Sequence, residues 1–341
     1  MRRLPALLPL LALLLGTWLR VTPPPPSFQL QLRFQPLPLP SREVQARQLG
    51  PFTVEAMWEM HSPHVHFSGF SALVPLEHGR LLAIGDRGYK LLFSPPGEPH
   101  TVPRIRRMLD GQAWKESRHD AEAATIDPAT GRLWIGWEGG NAITRHGTPF
   151  GSPQSARPRA MRGWKQNTGP EAMVRLVDGR FVVLCEGFSG WISEDRHKAL
   201  LFSGDPISSG EPQAFTFAGP VGFSPTDMAQ LPDGRVLVLM RSLVWPVPAR
   251  FEGGIALADP ADIRPDAVWR GVEVARLSYP LPVDNFEGLA ITPRPDGKVT
   301  VWLISDDNGA VLQRTLLWKL RLDPAGLPPV PGRQASKKAH G

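Results

Sequence analysis

Five times along the chain, a short half-apolar run leads into a tight bend and then into a nearly unbroken apolar run. The first copy reads Phe70-Ser-Ala-Leu-Val, bends at His78-Gly-Arg and continues as Leu81-Leu-Ala-Ile. The second passes from Glu122-Ala-Ala-Thr-Ile through Thr130-Gly-Arg into Leu133-Trp-Ile-Gly-Trp. The third starts at Glu171-Ala-Met-Val, bends at Asp178-Gly-Arg and continues as Phe181-Val-Val-Leu-Cys. Asp227-Met-Ala-Gln-Leu, Asp233-Gly-Arg and Val236-Leu-Val-Leu-Met make the fourth. Glu287-Gly-Leu-Ala-Ile, Asp296-Gly-Lys and Val299-Thr-Val-Trp-Leu-Ile make the fifth. Glycine at each bend supplies the positive φ that a tight hairpin needs. A continuous apolar second strand fits burial on both faces.

The bend glycines, Gly79, Gly131, Gly179, Gly234 and Gly297, recur roughly fifty residues apart, near the ~40–50-residue period of four-stranded propeller blades. Weaker strands are expected between the hairpins at 90–93, 103–108, 199–202, 214–217, 255–258 and 272–277. After the fifth hairpin only one clear strand remains, at 315–322. The segment 51–60 precedes the first hairpin and can supply the missing strand, which would close the ring without a bare sheet edge. The predicted fold is an all-β β-propeller of five four-stranded blades closed by an N-terminal strand. Six blades are the alternative, with little chain left to build the sixth.

In a hairpin, the start of the first strand and the end of the second lie on the same side. These positions are polar in every copy. The starts carry Ser71, Glu122, Glu171, Asp227 and Glu287, and the ends carry Asp86, Glu138, Glu186, Arg241 and Asp306. A propeller would gather them at one mouth of its central channel. Converging carboxylates repel unless a cation, an arginine or shared protons offset them. Oxygen-only ligands favour Ca²⁺ or Mg²⁺ over Zn²⁺. His119, just before Glu122, is the best-placed general acid/base. His61, His64 and His66 read as a surface cluster.

The 38 Pro and 33 Gly suit a turn-rich β protein. The +6 formal charge collects at the chain ends, with no basic stripe interleaved with aromatics, so nucleic-acid binding is not expected. The single cysteine, Cys185, lies in an apolar run and reads as core; it allows no intrachain disulfide. Arg2-Arg3 followed by an apolar stretch over 4–19 marks residues 1–22 as a signal peptide or an N-terminal membrane anchor. Residues 23–50 read as a Pro-rich linker with one strand near 29–34, residues 51–325 as the propeller, and 326–341 as a disordered basic tail. The chain is expected to work in the periplasm or another extracytoplasmic space, as a monomer meeting the membrane only through its N-terminal segment.

Several stretches resemble the phytase-like domain proteins, the "esterase-like activity of phytase" family. They are His66-Phe-Ser-Gly-Phe-Ser-Ala-Leu73, Gly85-Asp-Arg-Gly88, Arg118-His-Asp-Ala-Glu-Ala123, Asn167-Thr-Gly-Pro-Glu-Ala172 and Pro225-Thr-Asp-Met228. The more specific ones are Asp284-Asn-Phe-Glu-Gly-Leu289 and Ser305-Asp-Asp-Asn308 followed by Gln313-Arg-Thr-Leu-Leu317. Ser71-Ala72 and Gly85 depart mildly from the family's usual Ser-Gly and Ser. The resemblance implies an exported propeller and points to phosphoester or ester hydrolysis. Propeller phytases hold a heavily anionic substrate through several Ca²⁺ ions, but their ligand motifs are not obvious in this chain. On that reading Glu122, Glu171, Asp227, Glu287 and Asp307 are metal ligands, for Ca²⁺ first. Glu171, Glu287 and His119 are the catalytic candidates, and Arg87, Arg241 and Arg314 contact a small anionic or ester substrate. The alternative is a non-catalytic propeller that binds a small ligand or partner protein at the same mouth.

Overall fold

The computed structural model describes residues 27–109, 120–148, 151, 153–165, 168–188, 196–244 and 250–330. The expected export segment, His119 and most of the basic tail lie outside the described residues. No helix among the described residues is long and apolar enough to cross a membrane.

Five blades form the ring, each opened by one of the five hairpins. Blade 1 holds Phe70–Pro75, Leu81–Gly85, Tyr89–Phe93 and Arg104–Arg107. Blade 2 holds Ala121–Ile126, Leu133–Trp137, Ala142–His146 and Pro153–Ala156. Blade 3 holds Pro170–Arg175, Phe181–Phe188, Arg196–Phe202 and Gln213–Ala218. Blade 4 holds Ser224–Gln230, Val236–Val244, Arg250–Ala258 and Val272–Leu277. In blade 5, Asn285–Pro293, Val299–Asp306 and Leu316–Leu322 are followed by the N-terminal strand Phe52–His61. That strand pairs antiparallel along Leu316–Leu322, so the ring closes as expected, with five blades and not six.

The bend glycines take the left-handed conformation, for example φ 89° at Gly179 and 92° at Gly234. The aspartate before each of these two supports the turn from its side chain. Asp178 Oδ1 accepts from the Arg180 amide, and Asp233 Oδ1 from that of Arg235. Five apolar clusters fill the molecule, one between each adjacent pair of blades. Cys185 lies in the blade 2–blade 3 cluster, 2% exposed, and burial pushes its thiol pKa up to about 11.

The stretch expected as an extended linker is more ordered than its prolines indicate. Arg33–Pro36 adds a fifth strand to blade 5, pairing with His61 to Trp58. Helix α1 (Arg42–Gln48) follows, its first turn capped by the Ser41 hydroxyl, which accepts from the Val44 amide. Edge strands tolerate neighbouring prolines because one backbone side needs no ladder partner. A second departure joins blades 3 and 4. Val268–Arg270 leaves blade 4 and pairs parallel with the outer strand of blade 3, from Thr216 to Ala218.

Candidate functional site

All five innermost strands carry a β-bulge near their start. The residue left out of register is Ser71, Glu122, Glu171, Thr226 or Glu287 in turn. A bulge re-aims the side chain of the extra residue. It thus puts one polar residue per blade at the channel mouth. The ends of the second strands, Asp86, Glu138, Glu186, Arg241 and Asp306, lie at the same mouth. Facing those ends are Gly69, Asp120, Gly169, Ser224 and Asn285. Gly169 has a clear reason to lack a side chain: a Cβ there would stand 2.6 Å from the Glu138 Cα.

The bulges correct one alignment made from the sequence. In blade 4 the ring position belongs to Thr226, and Asp227 is one residue further on. It stands level with Ala72, Ala123, Ala172 and Gly288, where the inner strands approach closely. Asp227 is fully buried and reaches across the channel. Its Oδ2 accepts from the amides of Leu289 in blade 5 (2.7 Å) and Leu73 in blade 1 (3.4 Å), and Oδ1 from Met228 (2.8 Å). Burial raises its pKa against the pull of these three amides. Asp227 therefore ties three blades together beneath the mouth, and its oxygens are committed to backbone. Asp307 is likewise tied into a loop, accepting from the Ser68 hydroxyl (2.6 Å), the Gly309 amide (3.0 Å) and the Thr315 hydroxyl (3.1 Å).

The remaining acids converge. Asp120, Glu122 and Glu138 bring one oxygen each to within 4.8 Å of one another, and so do Glu138, Glu171 and Glu186. Glu138 belongs to both groups. One guanidinium enters the cluster. Arg241 lies 3.1 Å from Glu186, 3.4 Å from Glu287 and 3.7 Å from Glu171, and donates to the Asn285 carbonyl oxygen at 3.3 Å. It was expected to be an anion contact; the structure makes it an internal counter-ion. The cluster thus has two halves. Arg241 offsets part of the charge of three acids on the blade 3–4–5 side, and the Asp120–Glu122–Glu138 side has no Lys or Arg in ion-pair distance among the described residues. Glu171 stands at the boundary, 4% exposed, with Oε1 toward Arg241 and Oε2 buried without a hydrogen-bond partner.

Crowding shows in the titration of the acids. Burial, reinforced by Asp120, pushes Glu138 up to about 8. Burial raises Asp86 to about 7 against the pull of Arg87. Glu122 and Glu171 are held well above the carboxylate range by burial and by neighbouring acids, as is Asp306. Glu287 is raised by burial, with Arg241 and the Asn285 amide acting the other way.

Of the other arginines, Arg87 is 46% exposed at the rim, its Nε 4.0 Å from Asp86. Arg314 is held at 3.6 Å from Asp284 and 3.9 Å from Glu59. Of the five ligand candidates, then, the structure brings together Glu122, Glu171 and Glu287 and sets Asp227 and Asp307 apart. Asp120, Glu138, Glu186 and Asn285 complete the cluster and were not chosen from the sequence as site residues. All four either end a second strand or face such an end, and that is the signal that could have found them.

A phytase-like family model, "Esterase-like activity of phytase", matches residues 65–309. The chain belongs to this family. The phytase-like match spans every residue of the acidic mouth. No curated protein matched the chain. Among solved structures, Myxococcus xanthus glutaminyl cyclase is similar at 12% identity and TM-score 0.43, over 80% of this chain and 96% of that one. A chain of the nidogen/laminin complex is similar at 11% identity and TM-score 0.42, over 85% and 96%. Kuenenia stuttgartiensis hydrazine synthase is similar at 10% identity and TM-score 0.38 over 76% of this chain; the match spans 64% of the hydrazine synthase chain.

Proposed function

We propose that this phytase-like propeller is a divalent-cation-dependent hydrolase of phosphoesters or carboxylic esters, working at the acidic mouth outside the cytoplasm. The observation that carries the reading is the acid group Asp120–Glu122–Glu138, which has no Lys or Arg in ion-pair distance among the described residues, with the buried Oε2 of Glu171, which lacks a hydrogen-bond partner, near it. A buried carboxylate oxygen without a donor is costly unless a proton or cation meets it. The donor set is all oxygen, which fits Ca²⁺ or Mg²⁺. Asp120, Glu122 and Glu138, with Glu171, would hold one such ion. Arg241 already meets Glu186 and Glu287, which lowers the demand for an ion on that side. A bound ion would polarise an ester oxygen and lower the pKa of water.

The chain's own residues supply the rest. Asp86 has a carboxyl raised to about 7 and stands at the rim, which suits proton transfer near neutral pH. Arg87, exposed beside it, can meet an anionic group of the substrate. Asn285 and Arg241 hold Glu287 in place. Arg2-Arg3 and the apolar run after it support export. A non-catalytic module would fit better if arginines closed the whole ring, and Arg241 closes only part of it.

The test is hydrolysis of 4-nitrophenyl phosphate and 4-nitrophenyl acetate by chelator-treated protein, with and without added Ca²⁺ or Mg²⁺. Cation-dependent turnover that disappears in Glu138→Gln supports the reading. Absence of turnover under every condition would leave a cation-binding module.

A further inference from the structure

A cleft of about 530 Å³ opens outside the acidic ring, on blade 5. Its walls are the edge strand Arg33–Pro36, the end of Phe52–His61 and the loop after Asp306. Successive blade 5 strands run in opposite senses. The first strand therefore starts, the second ends, the fourth ends and the fifth starts on the mouth side, and the cleft shares a face with the ring. Asp284 contacts both. Asp284 Oδ2 accepts from the Arg314 amide in the cleft wall (3.0 Å), and Oδ1 from the Asn285 amide at the ring (3.0 Å).

The chemistry of the cleft differs from that of the ring. Arg33 and His61 face each other across the strand pair, and Glu59 lies two residues before His61 on the same face. Glu59 is already offset, at 3.4 Å from His61 and 3.9 Å from Arg314. Asp307 reaches the cleft, yet its oxygens are engaged by loop donors. Arg33 is exposed, and its side-chain contact among the described residues is the Gln31 carbonyl oxygen at 3.4 Å. Two arginines and two acids line the cleft, so its formal charge is balanced, and Arg33 is the lining arginine with no carboxylate in ion-pair distance among the described residues. Gln31 and Gln313 add amide groups, and half-buried Phe67 adds apolar surface, while Met60 is buried at 2% exposure. On the loop that carries Gln313 and Arg314, Val311 and Leu312 are 55% and 63% exposed.

We propose that this cleft binds the non-reacting part of the substrate, an organic group with one phosphate or carboxylate for Arg33 and an apolar portion for Phe67. The idea rests on the reading of the ring as the hydrolytic centre. Substrates would then be anionic esters that span Asp284, with the scissile group at the ring.

The test uses the full-length protein without divalent cations, so that Arg87 is the one exposed ring residue that could meet an anion among the described residues, with Arg87→Gln as the control for it. The probe is phenylphosphonate, with dimethyl phenylphosphonate as its neutral counterpart, followed by calorimetry and ligand-observed NMR. Wild type should bind the dianion, and the neutral ester should not compete. Arg33→Gln should weaken binding about tenfold or more, the scale of a lost charge-assisted contact. Glu138→Gln should bind as wild type does. No binding, or equal affinity in wild type and Arg33→Gln, would overturn the cleft. So would a loss in Glu138→Gln alone. Arg33-dependent binding without any hydrolysis of esters would sustain the cleft as a ligand site and remove the hydrolase reading.

Discussion

Replacing Asp227 by alanine tests whether this acid is a tie between blades or a ligand. Its two oxygens accept three backbone amides, from Met228, Leu289 and Leu73, and the side chain is fully buried. Alanine leaves these donors unpaired in a dry interior. Each unpaired buried amide costs about 1–3 kcal/mol, and the Leu73 contact at 3.4 Å is the weakest of the three. A loss of about 4 kcal/mol is expected, near 8 °C in Tm at roughly 2 °C per kcal/mol for a domain of this size. Asp227→Asn keeps one carbonyl acceptor and should lose about half as much. The assay is thermal unfolding followed by circular dichroism, with Ca²⁺ titrated into the Asn variant. If the alanine variant loses less than about 1 kcal/mol, or if the Asn variant folds fully but no longer binds Ca²⁺, the inter-blade tie is wrong and the ligand reading returns.

Three further outcomes follow from the same geometry. Arg241→Gln removes the cation that faces Glu171, Glu186 and Glu287, and should destabilise the protein at pH 7 by about 3–5 kcal/mol; the loss should shrink at pH 5, where the acids can take up protons, and an equal loss at both pH values would contradict it. Asp86, Glu138 and Asp284 have pKa values raised to about 7, 8 and 6, so the folded chain holds protons more tightly than the unfolded one. Without divalent cations its stability is full near pH 4 and falls as the pH climbs toward 8; Tm measured across this range should drop on the order of 10 °C, and Ca²⁺ at pH 8 should restore it. Gly169→Ala puts a methyl against the Glu138 backbone and should weaken cation binding by about tenfold or more in a calorimetric titration, while leaving the Arg33 cleft intact.

Much of the fold could be read from the chain because its signals are local. Each hairpin carries its own bend, as at Asp178-Gly-Arg, and its own buried strand, as at Phe181-Val-Val-Leu-Cys. The missing fourth strand of blade 5 pointed to residues 51–60, since a bare edge has to be covered. A strand was expected near 29–34 and lies at Arg33–Pro36, but its docking on blade 5, like the parallel pairing of Val268–Arg270 on blade 3, was not legible. Both depend on which surface is nearby after folding, and short polar segments carry no periodicity of their own. The site was half legible for a related reason. The acids at hairpin ends could be seen, but the bulge that selects Thr226 over Asp227 shifts the register by one residue, which turns the side chain to the opposite side. Asp-Met at 227–228 aligns as well with Glu-Ala at 122–123 by letter as it fails to by geometry. The pairing of Arg241 with three acids follows from which blades are neighbours.

The claim at the centre of this account is that Asp120, Glu122, Glu138 and Glu171 form one cation site. Calorimetric titration of Ca²⁺ into chelator-treated protein at pH 8 measures it directly. One ion per chain should bind, with release of protons seen as a buffer-dependent heat, and Glu138→Gln should abolish it while the fold persists. No heat in the wild-type protein, or unchanged binding in Glu138→Gln, would contradict the account.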